Sequence, residues 1–348
     1  MGDKKIKMQR ALAALGKGTL AEVSVAVPEP DDYEVLVKNE GCVFCNTTDR
    51  MIVEDLFQTP AYPTLIGHES FGRVIKVGKK VKKFALGDRV ICSNAIVSGY
   101  DGTYYSTWGG FAEYGIAGDL AAYLADHGTL DEKNAYRARY EANEIIASDL
   151  TYEEAALAFP LAEVASALRQ VTDMNEKNVV IIGTGIVGYF FTYFAKTYGA
   201  KSVTVLGRRQ SRLDVAKRIG ADQTFIDIDE ASAYLNALGG ADVVLECSGN
   251  YQALENGLPY LREGGIFAVY AVPKQPYSFQ LLKCPRRFSY QRIDPAVSEA
   301  IGEVCELLKA KKVPIDVFLT DTWRFEEAAE AYQEVCKGNV IKGLVVIS

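Results

Sequence analysis

Apolar positions follow two regimes along the chain. Over residues 1–118 they come in short alternating runs. Glu34-Val35-Leu36-Val37-Lys38 and Phe71-Gly72-Arg73-Val74-Ile75-Lys76-Val77-Gly78 have the period of two that buries one face of a strand. Gly87-Asp88-Arg89-Val90-Ile91 reads as a turn entering another strand. From about residue 150 the pattern becomes compact apolar runs separated by helix-length segments. Strands are predicted at 178–182, 202–206, 223–227, 242–247 and 266–271, with helices between them. Such alternation implies a parallel sheet with right-handed crossovers. The tail closes on the apolar strand Gly343-Leu344-Val345-Val346-Ile347. The predicted class is therefore α/β. A doubly wound domain, 151–290, interrupts a β-rich domain made of 1–150 and 291–348. A cleft between two such bodies is a natural place for a substrate and a cofactor.

One junction in this pattern carries chemistry. The buried run Val179-Val180-Ile181-Ile182 leads into Gly183-Thr184-Gly185-Ile186-Val187-Gly188, and an apolar, aromatic helix follows from Tyr189 to Tyr198. A dinucleotide pyrophosphate needs this arrangement. The first glycine allows the turn, the second lets the phosphates approach, and the third lets helix and strand pack closely. The helix N-terminus supplies free N–H groups to the anion. The next strand, Ser202–Leu206, ends in Gly207-Arg208-Arg209, where an NAD site would carry a carboxylate for the ribose hydroxyl. Two guanidiniums there suit a 2′-phosphate. They also precede a helix at Gln210–Ile219, whose positive end disfavours cations without an anion. NADP(H) is expected over NAD(H); the plainer reading is two solvated turn charges.

Composition narrows the class. The chain has 348 residues, is 49% hydrophobic and carries a net charge of −7. That charge argues against a nucleic-acid footprint, and no apolar run approaches the ~20 residues that span a bilayer. Met1-Gly2-Asp3-Lys4-Lys5 is basic, but no secretory apolar segment follows. Seven dispersed cysteines read as cytoplasmic thiols or ligands rather than a disulfide frame. The expected partners are small molecules.

Only two histidines occur, His68 and His127. His68 lies in Gly67-His68-Glu69, and Cys45 lies upstream in Phe44-Cys45-Asn46-Thr47-Thr48-Asp49. Thiolate, imidazole and carboxylate together suit Zn²⁺, and a catalytic zinc keeps three protein ligands with one open position. The alternatives are a hydrogen-bonded core histidine and a small core cysteine, with Cys42 and Cys45 spaced as an accidental CxxC.

These segments carry a resemblance. Gly67-His68-Glu69, Gly72, Val74-Ile75-Lys76-Val77-Gly78, Gly87-Asp88-Arg89-Val90 and Gly109-Gly110-Phe111-Ala112-Glu113-Tyr114 occur in order. Thr151-Tyr152-Glu153-Glu154-Ala155-Ala156, the Gly183–Gly188 turn and Asp242-Val243-Val244-Leu245-Glu246-Cys247-Ser248-Gly249 follow. The chain resembles the medium-chain dehydrogenase/reductase superfamily, specifically its zinc-dependent alcohol and polyol dehydrogenases. The resemblance implies a Rossmann domain beside a β-rich GroES-like catalytic domain. It implies that Cys45 and His68 hold a catalytic zinc, with Glu69 as a ligand or close partner, and that Thr47 serves the proton relay. It also implies that Cys247-Ser248-Gly249 and Tyr270-Ala271-Val272 flank the nicotinamide, and that the protein is a homo-oligomer. The implied reaction is hydride transfer between NADP(H) and an alcohol or carbonyl compound, such as a polyol, sugar or related secondary alcohol. A zinc-free NADP(H)-dependent carbonyl reductase and a non-catalytic NADP(H)-binding protein are the competing readings.

Four departures from the family pattern qualify it. The region Cys92–Tyr105 holds one cysteine where many relatives have a four-cysteine structural zinc site, so no structural zinc is expected. Its tyrosines, with Trp108, line a pocket or fill space. Phe159 stands before Pro160-Leu161, where relatives place a metal ligand. Glu163, one helical turn on, is either a substitute ligand or a structural polar residue. Asp49 falls four residues after Cys45, which leaves Thr47 and Thr48 competing for the relay. Residues 119–140 are an insertion. Thr129-Leu130-Asp131-Glu132 reads as a capping box, with Tyr136 and Tyr140 at i,i+4 spacing. The insertion covers the active-site mouth, meets another subunit, or decorates the surface with its tyrosines packed on the body. His127 is expected at the surface. Arg286 and Arg287 are either an anion-binding pair or solvated loop charges.

Overall fold

The computed structural model describes residues 7–16, 18–56, 61–226, 228–272 and 287–348. The chain divides into two compact units, one comprising Met1–Pro160 with Ile301–Ser348 and the other Leu161–Ala300.

The first unit is built on a seven-stranded sheet. Its central strand, Glu34–Val43, pairs antiparallel with Glu69–Val77, Tyr114–Gly118 and Gly343–Val346. Val35 and Val37 point into a core with Val74, Phe84, Val90 and Ala117, while Lys38 is exposed. That is the alternation the sequence predicts. Beyond Lys38 consecutive residues are buried, so both faces of the strand are covered there. A second, four-stranded sheet includes the hairpin Met8–Gly16 and Thr19–Ala26. A second core gathers Leu12, Phe44, Ile66, Phe111, Phe325 and Tyr332 beneath the end of the central strand. Cys42 belongs to this core, so the CxxC spacing is incidental.

The insertion packs onto this body. It begins with the helix Leu120–His127, capped by the Asp119 carboxylate, which accepts from the Ala122 N–H. A 3₁₀ helix, Glu132–Ala142, follows. The sequence pointed to a capping box opening at Thr129; the cap is Asp131, which accepts from both the backbone and side-chain nitrogens of Asn134. Its carboxylate takes the free donors, and the helix starts after it. Arg137 and Tyr140 converge on buried Glu34, at 3.2 and 2.6 Å, and Arg137 also pairs with Asp31. Its guanidinium lies 4.5 Å above the Tyr123 ring. Gly118 permits this approach, because a Cβ there would collide with the Tyr140 ring. Exposed His127 stacks on Tyr123 and hydrogen-bonds the Tyr33 hydroxyl at 3.0 Å.

The second unit is a six-stranded, wholly parallel sheet. Across the sheet the strands run Gln223–Phe225, Ser202–Leu206, Asn178–Ile182, Ala241–Glu246, Leu261–Val269 and Phe288–Arg292. This is the doubly wound order, with the first strand at the topological switch. The first two predicted strands coincide with the observed ones. The strand predicted at 223–227 ends at Phe225, and residue 227 lies outside the described residues. The strand predicted at 266–271 starts earlier, because Arg262-Glu263-Gly264-Gly265 is an irregularity within a strand and not a turn before one. It stops at Val269, where the Tyr270 and Ala271 N–H groups both turn to the Glu246 carbonyl. The helix Tyr152–Val171, with Pro160 inside it, carries both Phe159 and Glu163.

Glu34 is a buried carboxylate whose counter-charge comes from the insertion. Arg137→Met is expected to lower the unfolding free energy by about 3 kcal/mol. Adding Glu34→Gln should recover part of that loss; urea denaturation of the two variants measures both effects.

Candidate metal centre and nucleotide site

The metal-competent residues are assembled by strand register. Val43 ends the central strand and pairs with Glu69, the first residue of Glu69–Val77. His68 precedes Glu69, and Cys45 lies just past Val43, anchored by the buried Phe44 ring, which packs at a tilt 4.5 Å from the Phe111 ring. The Sγ of Cys45, a ring nitrogen of His68 and a carboxylate oxygen of Glu69 all lie within 4.8 Å of one another. Zinc, with bonds of about 2.3 Å to sulfur and about 2.0 Å to nitrogen or oxygen, would draw the farthest of these atoms together by about 1 Å.

Asp49 locks the arrangement. The Cys45 N–H donates to Asp49 Oδ2 at 2.8 Å, and the Asp49 N–H returns a bond to the Cys45 carbonyl at 3.1 Å. Its other oxygen lies 3.8 Å from His68 Nδ1, and neither of these buried atoms has a hydrogen-bond partner. Burial pushes the Asp49 carboxyl up to about 6, opposed by His68. Burial lowers His68, but hydrogen bonding and charge from Cys45, with Asp49 and Glu69, outweigh it and push the imidazole up to about 10. The pocket thus favours positive charge. Lys342 supplies some, with its Nζ 2.7 Å from Glu69 Oε1. A soft thiolate, an imidazole with a carboxylate behind it and a second carboxylate are donors that fit zinc.

Two aromatic rings flank the histidine. Trp108 lies 4.7 Å and Phe159 6.3 Å from the His68 ring, centroid to centroid. Thr47 is exposed and precedes the helix Thr48–Val53 without a side-chain capping bond, and Thr48 is half-buried. Glu163 belongs to the second unit and is not in the group of three. The loop after Cys92 is ordered by Tyr100 stacked on Tyr105 at 4.5 Å and by Asp101, which accepts from the Thr103 and Tyr104 N–H groups. The Cys92 thiol donates to the His68 carbonyl at 3.0 Å.

Sequence reasoning missed Asp49 as a partner of His68, although its place one turn after Cys45 was a usable signal. It missed Lys342 and Cys92 altogether. Nothing local distinguishes them, because their partners are remote in the chain.

In the second unit the glycine turn has the required shape. Gly183 sits at φ +122°, and a Cβ on Gly188 would strike the Gly183 carbonyl, so both positions demand glycine. Gly185 faces open space and caps the helix Ile186–Thr197, leaving room before Ile186 and Val187 for an anion. Thr184 touches Gly207, which joins the two turns. Arg208 and Arg209 are exposed at the start of the helix Gln210–Arg218. On the opposite strand buried Glu246, another residue missed, accepts from the Ser248 N–H at 2.6 Å, from the Ser248 hydroxyl at 2.5 Å and from the Gly249 N–H. It thereby fixes the Cys247-Ser248-Gly249 turn. Tyr270 packs edge-on against Phe191 at 5.3 Å and is followed by Ala271. Arg286 lies outside the described residues. Arg287 is exposed and pairs with Glu263 at 2.5 Å, which matches the solvated-loop reading.

Comparison with known proteins identifies the two domains. The model of the alcohol dehydrogenase GroES-like domain matches residues 31–125, and that of the zinc-binding dehydrogenase domain matches residues 187–292. D-xylulose reductase A of Aspergillus niger is 28% identical over 302 residues, covering 81% of this chain and 80% of its own. Sorbitol dehydrogenase of Halalkalibacterium halodurans is 27% identical over 350 residues, covering 95% and 96%. The crystal structure of benzyl alcohol dehydrogenase from Acinetobacter calcoaceticus has the same fold, with a TM-score of 0.82 at 19% identity, covering 99% and 100%. With a GroES-like unit that brings Cys45, His68 and Glu69 together and a Rossmann unit that carries the glycine turn, the chain belongs to the zinc-dependent medium-chain alcohol and polyol dehydrogenases, a family of oxidoreductases.

Proposed function

We propose that the protein transfers a hydride between NADP(H) and an alcohol or carbonyl substrate, in the class of polyols, sugars and related secondary alcohols. The observation that carries this reading is the convergence of Cys45, His68 and Glu69. The polyol class rests on the relatives, one a sorbitol dehydrogenase and one a D-xylulose reductase. The NADP(H) preference rests on Arg208 and Arg209 at the end of the second strand, where no carboxylate stands. A cytoplasmic homo-oligomer is part of the same reading; Phe288–Arg292 at the margin of its sheet is a suitable edge for assembly.

When bound, zinc supplies Lewis acidity to the substrate oxygen and the nicotinamide supplies or accepts the hydride. The protein's part is to hold and orient. Cys45, His68 and Glu69 would hold the one catalytic ion, and Asp49 would fix the His68 ring. Glu163, one turn beyond Phe159 on the same helix, is the further carboxylate this reading offers. Trp108 and Phe159 keep water from the imidazole. Thr47 or Thr48 carries the hydroxyl proton toward solvent. Gly183, Thr184, Gly185, Ile186, Val187 and Gly188 cradle the pyrophosphate. Gly207, Arg208 and Arg209 receive the 2′-phosphate, and Cys247, Ser248, Tyr270 and Ala271 flank the nicotinamide.

Phe159, which cannot ligate, favours one second reading: a reductase on this scaffold that works without zinc. The two diverge on Cys45→Ser. Under the zinc reading this variant loses bound zinc by metal analysis and loses on the order of 10³-fold in kcat/KM. Full activity in the variant, or in metal-free wild-type protein, supports the second reading instead.

Cofactor choice has a separate test. Arg208→Ala with Arg209→Ala is expected to raise KM for NADP(H) by about 10- to 100-fold, the worth of charge-assisted bonds to a phosphate. KM for NAD(H) should stay near its wild-type value in the same steady-state assay.

A further inference from the structure

Lys342 is a buried cation to which the family resemblance assigns no task. Its Nζ lies 2.7 Å from Glu69 Oε1 and 2.6 Å from Oε2, and both side chains are 2% exposed. The residue is clamped by its backbone. The Lys342 carbonyl accepts from the Thr320 N–H at 3.1 Å, the Ile341 carbonyl from the Asn46 amide at 3.1 Å, and the Gly343 carbonyl from the Phe44 N–H at 3.1 Å. Two of these anchors, Phe44 and Asn46, adjoin Cys45. The ammonium is therefore held in register with the metal group rather than swinging free on a flexible stem.

Both oxygens lie against the ammonium, and Oε1, which accepts its hydrogen bond, is also 3.8 Å from His68 Nε2. The carboxylate oxygen turned toward the metal group is thus one that the ammonium already holds. Charge gives the same picture. A Cys45 thiolate with the Asp49 and Glu69 carboxylates carries three negative charges, and Lys342 offsets one. A divalent ion offsets the other two, so the filled group is neutral, and without Lys342 it would be anionic.

We propose that Lys342 is a positioning residue that competes with the metal ion for Glu69, weakening the grip on the ion while keeping the metal-free pocket stable. The inference rests on the reading of Cys45, His68 and Glu69 as a zinc site. Buried charge sets its sign. With Lys342 present, zinc must share Glu69 with an ammonium. With Lys342 removed, zinc is the nearest counter-charge the carboxylate has, and a buried unpaired carboxylate is costly.

The test is zinc affinity measured by competition with a chromophoric chelator, together with melting temperatures with and without zinc. Lys342→Met is expected to bind zinc about tenfold or more tightly than wild type. Its metal-free form should melt lower, so the rise in melting temperature on adding zinc should widen. Lys342→Arg should return both readouts toward wild type. Lys342→Met with Glu69→Gln leaves no buried unpaired charge, so it keeps the test alive if the single variant is too unstable without metal; it should bind zinc no more tightly than wild type. A purely structural lysine predicts the reverse for Lys342→Met: weaker zinc binding alongside the lower melting temperature. Weaker or unchanged affinity in Lys342→Met, with wild type binding zinc, overturns this proposal alone. Wild-type protein that takes up no zinc overturns the zinc reading and this proposal with it.

Discussion

Val43 faces Glu69 across an antiparallel ladder, and most of the metal group follows from that single pairing. The register sets Glu69 at the start of one strand beside the end of another, which puts the residues just outside the ladder, His68 and Cys45, on adjoining turns. A slip by one residue would send Glu69 to the other face of the sheet. Close packing guards against this slip, because a Cβ in the place of Gly72 would meet the Lys38 carbonyl oxygen at 2.3 Å. Packing thus enforces a geometry whose use is chemical.

The second constraint is charge. Three acidic groups share a water-poor space with one imidazole, and burial alone would protonate or expel them. Asp49 is held by the Cys45 N–H, Glu69 by Lys342, and the His68 imidazole is drawn toward its cationic form. Each device serves a protein that folds around a region awaiting positive charge. The Rossmann unit faces the opposite demand, to receive an anion. It meets that with backbone N–H groups and an open space at Gly185, supported by a turn that buried Glu246 holds in shape.

What the sequence disclosed and what it hid divide along physical lines. Strands at 178–182 and 202–206 were readable because continuous apolar runs bounded by glycine have few alternatives. The glycine turn was readable because each of its three positions answers a steric need that recurs locally. Cys45, His68 and Glu69 were readable as a set through their residue types, although their meeting depends on a pairing between segments far apart in the chain. Lys342 was not readable at all. A lysine before Gly343-Leu344-Val345-Val346 looks like a solvated strand end, and only the long-range ladder makes it a buried partner of Glu69. The strand from Leu261 was misread for a different reason: Gly264-Gly265 looks like a turn, yet strand pairing resumes after it.

The insertion has a consequence for the metal group that its distance in sequence conceals. Arg137 and Tyr140 grip Glu34, the first residue of the strand whose last residue, Val43, leads into Cys45. One rod is thus pinned at its two ends, by an arginine and tyrosine at the base and by whatever cation fills the tip. Ladders on both flanks hold the rod in register, so freeing Glu34 at the base is felt as lost stability and not as a moved thiol. Residues 119–140 thus brace the strand that ends beside the metal group, and through Arg137 and Tyr140 they neutralise the carboxylate at its start.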